Sequence, residues 1–228
     1  MKPIWLAVLL LACLPPASMA RAPVVLTGSS GGTFTLRLTS LREARFRNTI
    51  RQKYDFSCGS AAVATLLTYQ YDYPVSEQEV FREMYAHGDQ AKINKEGFSL
   101  LDIKRYLQTN GFDADGFEVP LDKLRQEHLP AIALIDERGY HHFVVIKGLR
   151  DGRVLVGDPA LGTRSIPRAQ FEAAWKTRLV FVIHNRRLLA VFNSPDDWRV
   201  APLAPLGQGI DRRGLGNLVM PKRGPNDI

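Results

Sequence analysis

The chain has 228 residues, of which 45% are hydrophobic and 23% charged, and its formal net charge is +7. A chain of this length and composition buries a core of its own, which excludes wholesale disorder, a fibrous repeat and a small disulfide scaffold. Its one long apolar run lies at the N-terminus, which excludes a protein with several membrane spans.

The N-terminal 20 residues have the pattern of a secretory signal peptide. Lys2 supplies a positive charge, residues 4–14 are apolar but too short to span a bilayer, and the run Ser-Met-Ala ends in a small residue at Ala20. Cleavage after Ala20 and a periplasmic location are therefore predicted. The alternative is a lipid anchor at Cys13, because Leu-Leu-Ala-Cys resembles a lipobox, but it leaves the Ser-Met-Ala run without a role.

The next residues predict a small β-structure and a basic arm. Residues 24–38 read as two short strands around a Gly/Ser turn, which is typical of a hairpin. Residues 40–50 are basic and favour a short helix or an extended arm.

Three helices are predicted in the following part of the chain. Residues 59–71 are almost wholly apolar, which indicates a central, buried helix. Capping boxes then open two more helices, one at Ser76 with Glu79 and one at Ser99 with Asp102.

The second half of the chain is predicted to be mostly β-strand. Its short runs are rich in β-branched residues and are separated by turn residues. These runs cover residues 131–135, 143–147, 154–156 and 180–183. A short helix is predicted at 168–175, and a Pro/Gly-rich tail, docked at Trp198, follows. Helices first and antiparallel strands afterwards predict an α+β fold.

The segment before the central helix carries the first candidate chemistry. If the signal peptide leaves with Cys13, Cys58 is the single remaining thiol, and an unpaired cysteine in an oxidising compartment is buried, paired with another molecule or reactive. Cys58 stands at a helix N-terminus, where the helix dipole stabilises a thiolate. Gly59 allows close approach. The Cys58 N–H and the Gln52 side-chain amide would form an oxyanion hole.

The second candidate is a pair formed by His142 and Asp158. His142 opens one predicted strand and Asp158 ends the next, with a hairpin loop between them. A turn centred on residue 150 would put the two directly opposite one another on one face of the hairpin. A base and its orienting carboxylate require this arrangement, whereas His141 would point to the other face.

Each of these residues also has a purely structural explanation. Cys58 would be plain core, Gln52 a surface amide, His142 a strand-end histidine bonded to backbone, and Asp158 a turn residue before Pro159. The lone thiol, the helix start and the hairpin register point independently to one site, and this agreement favours the functional interpretation.

Metal, cofactor and nucleic-acid binding are not predicted. A metal site built from His141, His142, His184 and Asp158 is the weaker interpretation, because no HExxH motif or helical histidine pair supports it. No cofactor motif is found, and no nucleic-acid-binding motif accompanies the modest positive charge.

Taken together, these motifs resemble the bacteriocin-processing cysteine peptidase family. The resemblance rests on Gln52 six residues before Cys58-Gly59, on His142-Phe-Val-Val, and on Asp158-Pro159 sixteen residues further on. It implies a papain-like fold with Cys58 as nucleophile, His142 as base, Asp158 as third triad member and Gln52 as oxyanion donor.

The resemblance covers residues 45–186 and includes Gly97-Phe98-Ser99, which is similar to the start of the family's third helix. Ser57 departs from it, because the exporter peptidases usually carry Asp there, and the sequence has no transporter or nucleotide-binding segment. The implied organisation is a signal peptide (1–20), a hairpin and basic arm (21–50), a papain-like cysteine peptidase domain (51–190) and a Pro/Gly-rich tail (191–228).

The stand-alone, exported layout is similar to the peptidase-like components of functional-amyloid secretion systems. The resemblance implies a periplasmic cysteine endopeptidase that cleaves an exported polypeptide after a double glycine, with amyloid subunits or secretion-system components as partners. Gly31-Gly32 would be a site of self-processing or simply a turn. The alternatives are a peptidase-fold module that binds without cutting, and an acyl transferase acting on cell-wall peptides.

Overall fold

The structure is a computed structural model that describes residues 24–27, 33–36, 39–137 and 139–201 in two units, the first of which ends at Ser40. In the first unit, strands β1 (Val24–Thr27) and β2 (Thr33–Leu36) pair antiparallel, as the hairpin pattern predicted. The predicted signal peptide, Gly31-Gly32 and the end of the tail lie outside the described residues. Within the described residues, no helix is long and apolar enough to cross a membrane.

The second unit begins with five helices. These helices are α1 (Leu41–Arg45), α2 (Cys58–Gln70), α3 (Glu77–His87), α4 (Gln90–Glu96) and α5 (Leu100–Thr109). Helices α2 to α5 pack together as one layer, and α1 lies against the strand Gly162–Pro167. Both predicted capping boxes are present, since the hydroxyls of Ser76 and Ser99 accept from the backbone N–H three residues on, and Glu79 and Asp102 accept from the backbone N–H of the cap. These boxes fix where α3 and α5 begin. Helix α4 was not predicted; Asp89 caps it.

The second layer is a six-stranded antiparallel sheet in the order β3-β8-β4-β5-β6-β7. The strands are β3 (Ala114–Glu118), β4 (Ala131–Glu137), β5 (Tyr140–Arg150), β6 (Arg153–Asp158), β7 (Gly162–Pro167) and β8 (Leu179–Ile183). Around them lie α6 (Leu121–Glu127), α7 (Arg168–Ala174), a 3-10 turn (Arg187–Leu189) and α8 (Pro195–Trp198). The predicted α+β fold is confirmed.

The sheet separates two hydrophobic cores. On one face, α2 packs with α3 and α5 against Phe143 and Val145 of β5. On the other face, α6 and α7 pack against Val144 and Ile146 of the same strand. Helix α2 is apolar all round because it lies in the middle of the first core, as its composition predicted.

The hairpin of β5 and β6 turns at Asp151 and Gly152, not at residue 150. Arg150 pairs with Arg153, and the two residues between them have φ angles of 51° and 68°. A two-residue turn with positive φ at both positions matches the twist of the strands, and Asp-Gly is well suited to it.

A β-bulge at Lys147 then changes the register of this hairpin. Ile146 pairs with Val156 but Gly148 pairs with Leu155, so Lys147 is an extra residue in β5. In keeping with this, Ile146 and Leu149 pack in the same core although they are three residues apart, whereas regular alternation requires an even spacing.

The bulge decides which way His142 points. Val145 pairs with Gly157, so Asp158 lies level with Val144 and on the same face as His142. Without the bulge, the register set at the turn would put His142 on the opposite face from Asp158. The prediction of one shared face is confirmed. The prediction that the two residues lie directly opposite is wrong, because the turn is displaced and a residue is added.

Candidate active site

Cys58 is the first residue of α2 and is 7% exposed. The turn before it is closed by Ser57, whose hydroxyl accepts from the Tyr54 N–H at 3.1 Å and donates to the Tyr54 carbonyl at 3.0 Å. The sulfur faces backbone N–H groups of Gly59 and Phe143. The helix start therefore sets the thiol against the peptide that joins His142 to Phe143.

Burial raises the pKa of the Cys58 thiol above its ordinary value. The N–H groups of Phe143, Gly59 and Cys58 itself lower it, but they do not outweigh the desolvation. The N–H groups at the helix start thus stabilise the thiolate, as the sequence predicted, but the burial of the sulfur, which the sequence does not reveal, has the larger effect on the pKa.

Gly59 is required by packing against Phe98. A Cβ atom at position 59 would lie 2.9 Å from the Phe98 Cβ and 3.5 Å from the Phe143 ring. The close approach predicted at Gly59 is thus made by a side chain from the segment before α5, which brings Gly97-Phe98-Ser99 up to the helix start that carries Cys58.

His142 and Asp158 form a buried hydrogen-bonded pair. The Nε2 atom of His142 lies 3.2 Å from Oδ2 of Asp158, and the side chains are 4% and 0% exposed. An ionised carboxylate only accepts hydrogen bonds, so Nε2 carries the proton and Nδ1 keeps its lone pair. Nδ1 is buried and has no hydrogen-bond partner among the residues that the structure describes.

Asp158 is held ionised by its surroundings. Burial alone would raise the pKa of its carboxyl, but the hydrogen bond from His142, the charge of Arg164 and the Ala160 N–H together lower it. Oδ1 accepts from the N–H groups of Ala160 at 2.9 Å and Leu161 at 3.1 Å, and the Arg164 Nε donates to Oδ2 at 3.1 Å. The carboxylate is therefore fixed on both oxygens.

Gln52 is tied to the same strand end. Its backbone N–H donates to the Pro159 carbonyl at 3.1 Å, directly after Asp158. Its side-chain Nε2 donates to the carbonyls of Tyr54 at 3.0 Å and Asp55 at 3.4 Å. In the described part of the chain its Oε1 atom is buried without a partner. All four residues singled out from the sequence thus lie around the start of α2, the start of β5 and the end of β6.

Two residues of this site were not found from the sequence. Tyr140 stacks on the His142 ring with centroids 5.2 Å apart, and its hydroxyl donates to the Asp55 carbonyl at 3.1 Å. Its place two residues before His142, on the same strand face, is a signal that would have found it. Arg164 lies in β7, which was not predicted, so nothing in the sequence pointed to it.

The histidines and acids do not gather as the weaker metal interpretation required. His184 pairs with Asp115 at 3.0 Å and His141 lies 3.6 Å from Asp136. Ligand atoms of Glu137, His142 and Asp158 do lie within 4.8 Å of one another. The Arg164 Nη2 atom, however, is 2.8 Å from Glu137 and 2.9 Å from Asp158, so a guanidinium already pairs with both carboxylates.

A groove of about 660 Å³ opens beside His142 and Asp158. It runs between the β4–β5 turn, the β6–β7 turn and α7, and its wall includes Tyr140, Leu161 and Ala174. Its wall is partly polar and partly apolar, and neither Cys58 nor Gln52 is among the described residues that line it.

Comparisons with known proteins agree with this arrangement. The sequence profile described as "Peptidase C39 family" matches residues 47–187. The chain is 42% identical to the "Probable functional amyloid protease FapD" of Pseudomonas aeruginosa over 153 residues, and this alignment covers 67% of each chain. Over 136 residues it is 30% identical to the "Lactococcin-G-processing and transport ATP-binding protein LagD" of Lactococcus lactis, which is 58% of this chain and 18% of LagD.

A solved structure shares the fold. The peptidase domain of Streptococcus ComA, a bi-functional ABC transporter involved in a quorum sensing pathway, superposes with a TM-score of 0.51 at 20% identity, over 60% of this chain and 97% of that domain. The papain-like fold and the resemblance to bacteriocin-processing peptidases are thereby confirmed. By the profile match and by its identity to a named protease, this chain belongs to the peptidase C39 family.

Proposed function

We propose that this protein is a periplasmic cysteine endopeptidase that cleaves an exported polypeptide of a functional-amyloid system. The observation that carries the proposal is the buried His142–Asp158 pair, whose free Nδ1 lies at the same strand end as the Cys58 thiol. The likeness to FapD supports the amyloid context, and the signal-peptide pattern supports the location.

Acylation begins with a neutral thiol, because burial keeps Cys58 protonated. As the sulfur attacks the scissile carbonyl carbon, the S–H proton passes to Nδ1 of His142 and an S–C bond forms. Asp158 holds the ring through Nε2 and stabilises the resulting imidazolium. Nδ1–H then protonates the leaving amine, the C–N bond breaks, and a thioester remains on Cys58.

Deacylation repeats the same transfers with water. His142 Nδ1 takes a proton from a water molecule as its oxygen attacks the thioester carbon. The S–C bond breaks, the proton returns to the sulfur, and the new carboxyl end leaves. The stacked Tyr140 ring keeps the imidazole in one orientation through both steps.

The negative oxygen of both tetrahedral intermediates is assigned to the Cys58 N–H and the Gln52 amide. In the free enzyme the Gln52 amide donates to two carbonyls, and the longer of these bonds, 3.4 Å to Asp55, is the one that gives way to the oxyanion. The hydrogen bond from the Gln52 backbone N–H to the Pro159 carbonyl fixes the position of Gln52 relative to Asp158.

Cleavage after a double glycine is part of the proposal. The nearly buried sulfur of Cys58 is reached most easily by a backbone without side chains, and glycine allows that approach. The exported substrate would thus bring a Gly-Gly bond up to the Cys58 sulfur, with its flanking residues extended.

The test is a digest of a purified, exported amyloid subunit and of a fluorogenic peptide with a central Gly-Gly, read by mass spectrometry. Wild-type protein should produce fragments that Cys58→Ala and His142→Ala do not. His141→Ala is the matched control, because His141 is the neighbouring, 65% exposed histidine and should cut like wild type. Identical patterns from wild type and Cys58→Ala would leave a binding module that does not cut.

A further inference from the structure

The chain after β8 returns to the sheet and covers part of β5. Residues 190–198, here called the strap, lie beyond the part of the chain matched by the family profile. Strand β4 begins at Ala131 opposite Ile146, and beyond that point the strap takes over: the Asn193 N–H donates to the Lys147 carbonyl at 2.8 Å, and the Asn193 Oδ1 accepts from the Leu149 N–H at 2.8 Å. The strap therefore bonds the bulge residue and the strand directly after it.

A buried ion pair joins the strap to the bulge residue itself. Lys147 Nζ lies 2.7 Å from Asp197 Oδ1, and the two side chains are 0% and 3% exposed. Lys147 also donates to the Asn48 carbonyl at 2.7 Å, while Asn48 Nδ2 and Gln70 Nε2 donate to Asp197 at 3.0 and 3.4 Å. Each charge is therefore solvated by protein groups, and removing either one leaves the other buried and unpaired.

Two glycines make room for this arrangement. A Cβ atom on Gly148 would lie 2.4 Å from the Asn193 Oδ1, and one on Gly157 would lie 3.2 Å from the Lys147 Cδ. The first of these distances is too short for any real contact, so a side chain at position 148 would displace the Asn193 amide from its bond to Leu149.

We infer that the strap is the positioning element of His142, with Asp197 and Lys147 as positioning residues. The bulge connects the strap to His142. Lys147 is the extra residue that puts His142 on the same face as Asp158. The strap binds both the carbonyl and the ammonium group of Lys147. Neither residue touches the substrate. The inference rests on the proposed function, in which His142 is the base.

The pair Asp197→Asn and Asp196→Asn tests this. The two aspartates are neighbours in α8, but Asp196 is 60% exposed and bonds Arg199, whereas Asp197 is buried on Lys147. Because a catalytic group displaced by about 1 Å loses on the order of 100-fold in rate, we expect Asp197→Asn to lower kcat by roughly 10- to 100-fold with KM little changed, and Asp196→Asn to match wild type.

Two measurements distinguish a positioning role from a merely structural one. The first is the NMR signals of the His142 ring nitrogens. The second is the His142-dependent part of the Cys58 alkylation rate, which is the part that His142→Ala abolishes. Asp197→Asn should lose the Nε2–H signal bonded to Asp158 and the His142-dependent alkylation. If Asp197→Asn does not fold, Asn193→Ala serves instead, because it removes the side-chain acceptor of the Leu149 N–H beside the bulge without leaving a buried charge.

The outcomes separate the two ideas. Wild-type His142 signals and wild-type kcat in a folded Asp197→Asn or Asn193→Ala protein would overturn the role of the strap and leave the peptidase proposal intact. A wild-type protein whose Cys58 reactivity and digest do not depend on His142 would overturn the peptidase proposal itself.

Discussion

His142 and Asp158 are joined by a 3.2 Å hydrogen bond although they are diagonal neighbours in their hairpin and not an opposed pair. The bond exists because one added residue in β5 shifts the register by one position. Asp158 can then hold the Nε2–H of the imidazole and leave Nδ1 free for the thiol.

The first prediction concerns Asp158→Asn. An amide presents an N–H as readily as a carbonyl, so the imidazole loses the acceptor that fixes its tautomer. We expect kcat to fall on the order of 10³- to 10⁴-fold in the peptide assay, with KM within a few-fold of wild type. Glu137→Gln, which alters the other carboxylate bound by Arg164, is the matched control and should cost little. A loss below tenfold for Asp158→Asn would remove Asp158 from the mechanism.

The second prediction concerns the reactivity of Cys58. Because burial raises the pKa of the thiol, its alkylation by iodoacetamide should still be rising with pH above ~8.5, the ordinary value for a cysteine. At pH 7 the rate should fall further in His142→Ala, which lacks the proton acceptor. Intact-mass measurement against pH gives both curves. A wild-type plateau below neutrality would mean that a thiolate is already present in the free enzyme.

The third prediction concerns acid stability. The pKa of Asp158 is lower in the folded chain than in the unfolded chain, so its contribution is present above ~3.9 and is lost as pH falls through the folded value. Arg164→Leu removes one of the charges that lower this pKa, and burial then raises it. The thermal midpoint of Arg164→Leu should therefore begin to fall at a higher pH than that of wild type.

Arg199→Leu is the control for that series, because its partner Asp196 is exposed and such pairs contribute little. Melting curves followed by circular dichroism from pH 7 to pH 2 check the order of the three proteins. Parallel curves for wild type and Arg164→Leu would show that Arg164 does not hold Asp158 ionised.

The fourth prediction is the sign of Gly59→Ala. Inside an exposed helix this substitution stabilises by up to about 1 kcal/mol. Here the new Cβ would lie 2.9 Å from the Phe98 Cβ, which cannot rotate away, so we expect a loss of about 1–3 kcal/mol in the free energy of unfolding. Urea titration measures it. A stabilised variant would mean that Phe98 and α2 separate easily.

Local sequence signals predicted the parts of the fold that depend on local physics. The hydroxyl and carboxylate pairs at Ser76 and Ser99 fixed two helix starts, and the apolar run after Cys58 fixed the central helix. Strands β3 and β7 were not predicted from the sequence. They are edge strands, which pair on one side only and carry few apolar residues, as in Ala-Asp-Gly-Phe-Glu for β3.

The shared face of His142 and Asp158 was predicted from the sequence, but the exact register of their hairpin and the burial of the Cys58 thiol were not. The bulge at Lys147 depends on the strap, which arrives 50 residues later in the chain, so hairpin arithmetic alone misses it. The sequence signal that would have indicated a bulge is a lysine within an apolar strand, followed by glycine. The raised pKa of Cys58 depends on how tightly Phe98 and Phe143 pack around the helix start, which no motif encodes.

The division of the protein into two cores has a consequence for how the candidate site is assembled. Cys58 belongs to the core built by α2, whereas His142 and Asp158 stand on the sheet face that belongs to the other core. In the proposed mechanism the thiol and its base therefore stand on elements of different cores, and both cores must be packed before the two groups can meet.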